Sequence, residues 1–138
     1  MYGPYENPER IVPTVIRALL KKEIAKCTHG EQIRDFLYVY DVAAAFVALL
    51  ESDLQGALNI ASGQPLSLKE VILKIADKLD GRDLIKLGAV VSSAGQPRQL
   101  VADTFRLHNE LKWRPKYNID EGLAATIDWW KKHENNYR

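Results

Sequence analysis

Arg34 and Asp35 stand side by side near the start of an extended run, just past the turn Gly30-Glu31-Gln32. A guanidinium on a rigid element beside a loop is well sited to hold an anion, because its planar fork meets two oxygens at once. The same pair equally suits an ordinary ion pair on a strand edge, which contributes little at the surface. The two residues alone leave both readings open. Other reactive groups are sparse. His29, His108 and His133 lie in polar contexts near the ends of elements, which favours surface positions. Cys27 is the one cysteine and is two residues from His29, but no second Cys/His pair completes a metal set. A nucleophilic Cys27 needs a base and a lowered pKa, and the sequence shows neither. There is no G-x-S-x-G, H-E-x-x-H, P-loop or glycine-rich dinucleotide fingerprint. Residue chemistry therefore points to binding rather than to a self-contained catalytic set.

The elements that would carry these residues follow from pattern. Residues 1–9, with Gly3, Pro4 and Pro8, read as an ordered loop. A helix is predicted over 10–23, with Pro13 in its first turn and Val15, Ile16, Leu19 and Leu20 on one face. A weak strand follows at 24–29. Ile33 to Val39 reads as a strand buried on both faces, ending at Asp41, which is placed to cap a helix over 42–52. Ala57 to Ala61 reads as a short strand. Ser67 and Glu70 form a capping box ahead of a helix ending near Leu79. Strands are predicted over 84–91 and 99–102, then a helix over 105–111 capped by Asp103 or Thr104. A last helix, 121–133, is capped by Asp120, and the tail 134–138 reads as frayed. Alternation of this kind places the chain in the α/β class.

Composition narrows the function classes. The chain of 138 residues is one domain's length, and residues 1–138 read as a single domain. With 19 basic and 18 acidic side chains and a net charge of +1, it carries no basic field for nucleic acid. Lys21, Lys22 and Lys26 read as a solvated helix end. No apolar run reaches the ~18 residues of a membrane span. The opening MYGPYENPER is unlike a signal peptide, and a lone cysteine suits a reducing compartment, so a cytoplasmic protein is expected. A compact turn sequence with apolar aromatics is an unusual way for a domain to begin, and suggests a shortened chain.

The pieces taken together resemble a known family. In order they are Tyr2-Gly3-Pro4, Arg10-Ile11-Val12-Pro13, Arg34-Asp35-Phe36-Leu37-Tyr38-Val39 with Asp41, Asn59-Ile60-Ala61-Ser62-Gly63, Leu100-Val101-Ala102-Asp103 and Leu111-Lys112-Trp113-Arg114-Pro115. They resemble the C-terminal part of extended short-chain dehydrogenases/reductases, the NAD-dependent epimerase/dehydratase family that acts on nucleotide sugars. The resemblance implies a small mixed α/β substrate-binding domain lacking most of the Rossmann half. It implies NAD(P) for the full-length enzyme and none bound by this fragment. None of the six tyrosines has a lysine four residues later, so the family's catalytic Tyr-x-x-x-Lys is absent and no residue here is a catalytic candidate.

On this resemblance Arg34 grips a substrate diphosphate, Ile11 and Val12 line the nucleotide base, Asn59 meets the ligand or fixes a turn, and Tyr2 walls the sugar pocket. One departure stands out. The family's second diphosphate arginine falls here on Ser93, or on Ser92, and Arg98 could replace it only with a rearranged loop. Loss of one charge-assisted contact costs about 1.5–3 kcal/mol of affinity. The expected partner is a nucleotide-diphosphate sugar; the alternative is a free-standing binding or interaction module derived from such an enzyme. Apolar surface left by the missing half implies a homodimer or strand exchange.

Overall fold

The computed structural model describes residues 1–92 and 95–134. Five helices, α1 (Ile11–Leu20), α2 (Val39–Leu50), α3 (Leu68–Lys78), α4 (Phe105–Asn109) and α5 (Ile119–His133), alternate with short strands β1 (Ala25–Lys26), β2 (Ile33–Asp35), β3 (Pro65–Ser67), β4 (Ile85–Lys86) and β5 (Gln99–Leu100). This is the mixed α/β architecture that the sequence predicts.

The core lies where α1, α3 and α5 meet. Each contributes one apolar stripe: Val12, Val15, Ile16 and Leu19 from α1; Val71, Ile72 and Ile75 from α3; Leu123, Ile127 and Trp130 from α5. Every such side chain taken fully out of water stabilises the fold by about 1.5–3 kcal/mol. The far ends of α1 and α5 are clasped as well: Glu134 accepts from Arg17 Nε at 3.0 Å and from Lys21 Nζ at 2.8 Å. Lys21, expected to be a free helix-end cation, is therefore paired.

Two small sheets sit beside this core. β1 pairs parallel with β4, Ala25 opposite Ile85. β2 is the centre of the other, antiparallel to β3 (Arg34 opposite Leu66) and parallel to β5 (Arg34 opposite Leu100). The Ser67–Glu70 capping box forms as predicted, Glu70 N donating to Ser67 Oγ at 3.1 Å. Gly30 sets the approach to β2: with φ +73° it lets Lys69 N donate to its carbonyl at 2.9 Å, where a side chain would strike the Lys69 backbone.

Several expected boundaries move. The 33–39 strand is only three residues long, and α2 already begins at Val39 with Tyr38 as its N-cap. Beyond β2 the chain keeps one parallel bridge, Tyr2 opposite Tyr38: Tyr2 N donates to Leu37 O at 3.0 Å and Val39 N to Tyr2 O at 2.9 Å. Asp41 is thus inside the helix rather than its cap. Asn118, not Asp120, caps α5, accepting from Asp120 N and Glu121 N. Asp120 instead meets Lys74 at 2.8 Å and Lys78 at 3.2 Å. Residues 57–61 form no strand, because none of the described strands lies alongside to complete a ladder. The 84–91 strand reduces to Ile85–Lys86 behind a 3₁₀ turn, Arg82–Leu84. Asp103 does guard the start of α4, accepting from Phe105 N at 2.8 Å. Ser93 and the end of the frayed tail, residues 135–138, lie outside the described residues.

Candidate functional site

Arg34 lines a cleft of about 540 Å³ together with Glu6, Arg10, Ile11, Val12 and Gln96. Local sequence explains why these groups converge. Pro13 lets α1 start at Ile11, and its N-cap is Arg10, whose side chain makes no capping hydrogen bond. The amides of Ile11 and Val12 belong to the first turn, where no intrahelical acceptor exists, and Pro13 has no N–H. The positive end of α1 therefore borders the same cleft as two guanidinium-bearing residues, and Ile11, Phe36 and Leu68 add apolar wall.

Arg34 and Asp35 do not pair with each other. Among the described residues Arg34 makes no ion pair. Its Nη1 donates to Ile33 O at 2.7 Å and Arg98 O at 3.4 Å, and its Nη2 to Pro97 O at 2.9 Å. Asp35 works elsewhere: its Oδ1 accepts from Ser62 N at 2.7 Å and its Oδ2 from Gly63 N at 2.8 Å. Asp35 is thus a latch for the 62–64 loop. Arg34 straps the segment before β5 while lining the cleft.

The other expected site residues are distributed around this centre. Ile11 and Val12 share the cleft with Arg34. Asn59 shares with Arg34 a larger trough of about 690 Å³ that also touches Val42, Phe46 and residues 100–103, and its Nδ2 donates to Asp103 O at 3.1 Å. Arg98 contributes its carbonyl, which accepts from Ile33 N and Arg34; its exposed side chain does not line the cleft. Tyr2 is 2% exposed and sits in the aromatic core against Phe36 and Tyr38, its hydroxyl donating to Ile119 O. Burial drives its phenol well above the ordinary range. Tyr2 borders not the Arg34 cleft but a smaller one of about 380 Å³, which shares Met1, Glu6 and Arg10 with it.

Sequence reasoning missed Glu6 and Arg10 as site residues. Glu6 Oε2 is shielded from solvent and has no hydrogen-bond partner among the described residues. Burial pushes the Glu6 carboxyl up to about 7, against the opposing pull of the Met1 amino group and Arg10. No periodicity marks Glu6, since it lies in a loop and only the fold brings it beside Arg34. Arg10 was legible as a helix start but not as a wall of the cleft.

Among the described residues no three His, Cys, Asp or Glu side chains cluster. The β2–α2 junction is Phe36-Leu37-Tyr38, without the glycines by which a strand–helix turn approaches a pyrophosphate. No described helix is long and apolar enough to cross a membrane.

Comparison with known proteins gives this geometry its context. Residues 1–61 match the NAD dependent epimerase/dehydratase family. A dTDP-glucose 4,6-dehydratase of Shigella flexneri is 31% identical over 144 aligned residues, spanning 97% of this chain and 39% of the relative. The crystal structure of dTDP-glucose 4,6-dehydratase from Bacillus anthracis in complex with NAD superposes with a TM-score of 0.86 at 28% identity, covering 97% of this chain and 43% of the other. The solved structure of UDP-N-acetylglucosamine 4-epimerase from Methanobrevibacter ruminantium in complex with UDP-N-acetylmuramic acid gives 0.86 at 27%, covering 96% and 44%. The chain thus has the fold of about two-fifths of these proteins, and over nearly its whole length it is similar to dehydratases and epimerases of nucleotide sugars.

Proposed function

We propose that this chain is the portion of an NAD(P)-dependent nucleotide-sugar epimerase or dehydratase that holds the substrate by its nucleotide diphosphate, and that it does not turn substrate over by itself. The observation that carries this reading is the convergence of Arg34, Arg10 and the uncapped first turn of α1 on one cleft. Two guanidiniums and a helix N-terminus favour an anion, and the apolar wall beside them suits a base. Arg34 would keep its carbonyl partners and offer its remaining N–H groups to phosphate oxygens. Asn59 and Arg98 would steady the neighbouring loop, and Tyr2 would support the wall from behind. In the complete enzyme the cofactor would supply hydride transfer at a sugar carbon; this part would supply position, which governs rate as well as affinity.

Titration of the chain with UDP-, dTDP-, CDP- and GDP-sugars tests the reading. Binding by at least one, lost in Arg34→Ala, is expected. NAD-dependent turnover by this chain alone overturns the claim of inactivity.

A second reading rests on a specific observation. Three hydrogen bonds already engage the Arg34 guanidinium, which suits a purely structural strap in a free-standing interaction module. Absence of binding by all four sugar classes favours it. In either case α2 exposes Tyr40, Phe46, Val47 and Leu50, and such a face promotes self-association. A homodimer is expected by light scattering, and a strict monomer at high concentration counts against it.

A further inference from the structure

The Glu6 carboxyl leans on the Gly3 backbone, but one of its oxygens is left over. Its Oε2 meets no donor, although it belongs to a loop whose other groups are engaged: Glu9 N donates to Asn7 Oδ1, and Glu6 N itself to Gly3 O. A shielded carboxyl oxygen without a partner is costly, and such groups persist where a ligand supplies the missing bond. Glu6 lines both the Arg34 cleft and the smaller cleft beside Tyr2 and Tyr5, with Arg10 beside it in each. We propose that Glu6 is a ligand-contacting residue of the Arg34 cleft, that it holds an anionic ligand as the neutral acid, and that the cleft rejects the ligand when Glu6 is ionised. This rests on the diphosphate-binding reading of that cleft.

Charge explains the choice of protonation state. The charged groups around Glu6 are the Met1 amino group and Arg10, with Arg34 and Asp35 lining the same cleft. The cations favour an ionised Glu6, but desolvation outweighs them and holds the carboxyl at about 7. A neutral carboxyl can donate its O–H to a phosphate oxygen. A carboxylate offers only acceptors, neutralises one of the two arginines and repels the diphosphate. The Asp35 carboxylate is turned to the Ser62 and Gly63 amides, which hold both of its oxygens, so its charge is a constant background and Glu6 is the group whose charge varies. If only the neutral form binds, the apparent Kd rises with the fraction ionised, about tenfold between pH 6 and pH 8 for a midpoint near 7.

The test uses the nucleotide sugar that binds best among UDP-glucose and dTDP-glucose, because their diphosphates carry no group titrating in this range. Calorimetric Kd values at pH 6, 7 and 8 are compared for the wild-type chain, Glu6→Gln and Arg34→Ala, with carboxyl NMR following the Glu6 midpoint directly. Glu6→Gln has the shape and donor of the neutral acid but cannot ionise. The expected result is a wild-type Kd that weakens about tenfold to pH 8 while Glu6→Gln stays level. An equal slope in Glu6→Gln, a flat wild-type profile, or a Glu6 midpoint near the ordinary glutamate value overturns the role of Glu6. Binding at pH 6 lost in Arg34→Ala leaves the diphosphate reading standing even then. No binding of either sugar at any pH overturns both.

Discussion

Replacing Asp41 should be among the most damaging single changes in this chain. Asp41 is 2% exposed, and its two carboxylate oxygens accept from Lys116 N at 2.9 Å and Tyr117 N at 3.1 Å. One side chain in the first turn of α2 thereby closes the loop that leads into α5, more than seventy residues away. In Asp41→Ala both amides lose their acceptor, at about 1–3 kcal/mol each. Because Lys116 and Tyr117 are themselves exposed, water can partly replace the carboxylate, and the total falls at about 2–4 kcal/mol. That is a large share of the roughly 5–15 kcal/mol typical of a whole domain. Asp41→Asn keeps one acceptor oxygen and should cost about half as much. Urea denaturation followed by the fluorescence of Trp113, Trp129 and Trp130 measures the loss, and hydrogen exchange at Lys116 and Tyr117 locates it. An Asp41→Ala protein within about 0.5 kcal/mol of wild type, or unchanged protection of those two amides, would refute the reasoning.

Further outcomes can be checked alongside. Asp35→Ala should release the 62–64 loop, seen as faster exchange of the Ser62 and Gly63 amides, with a loss of about 1–3 kcal/mol because the latch is half-exposed. Gly122→Ala should drive a methyl group into the Tyr2 ring and hydroxyl and destabilise by about 1–3 kcal/mol; adding Tyr2→Phe should recover part of that, measured as a double-mutant cycle. The hydrogen bond from Lys74, aided by Lys78, holds the Asp120 carboxyl below its ordinary value. Its contribution is therefore complete above the unfolded-state value and is lost as pH falls through the folded one. Between pH 5 and pH 2 the wild-type urea midpoint should drop more than that of Asp120→Asn, and equal slopes would count against the Lys74–Asp120–Lys78 cluster.

The sequence by itself determined the helices and their buried stripes. In α1, α3 and α5 the apolar residues recur at helical spacing, and the Ser67–Glu70 box fixes one start to the residue. Local chemistry suffices there because each helix satisfies its own backbone. The six ordered motifs likewise made the likeness to nucleotide-sugar enzymes legible, and Arg34, Ile11 and Val12 do line one cleft. Tertiary structure alone decided the rest. A strand needs a neighbour, so 57–61 stays unpaired among the described residues, and the ladder of 33–39 ends at Asp35, with only the Tyr2–Tyr38 bridge beyond it. A carboxylate takes whichever amides the fold presents, so Asp41 holds residues 116 and 117 instead of capping a helix, and Asn118 caps α5 in place of Asp120. Glu6 shows the limit most clearly: nothing in its neighbours announces a buried, unpartnered carboxyl, because its desolvation is made by residues that only folding brings together.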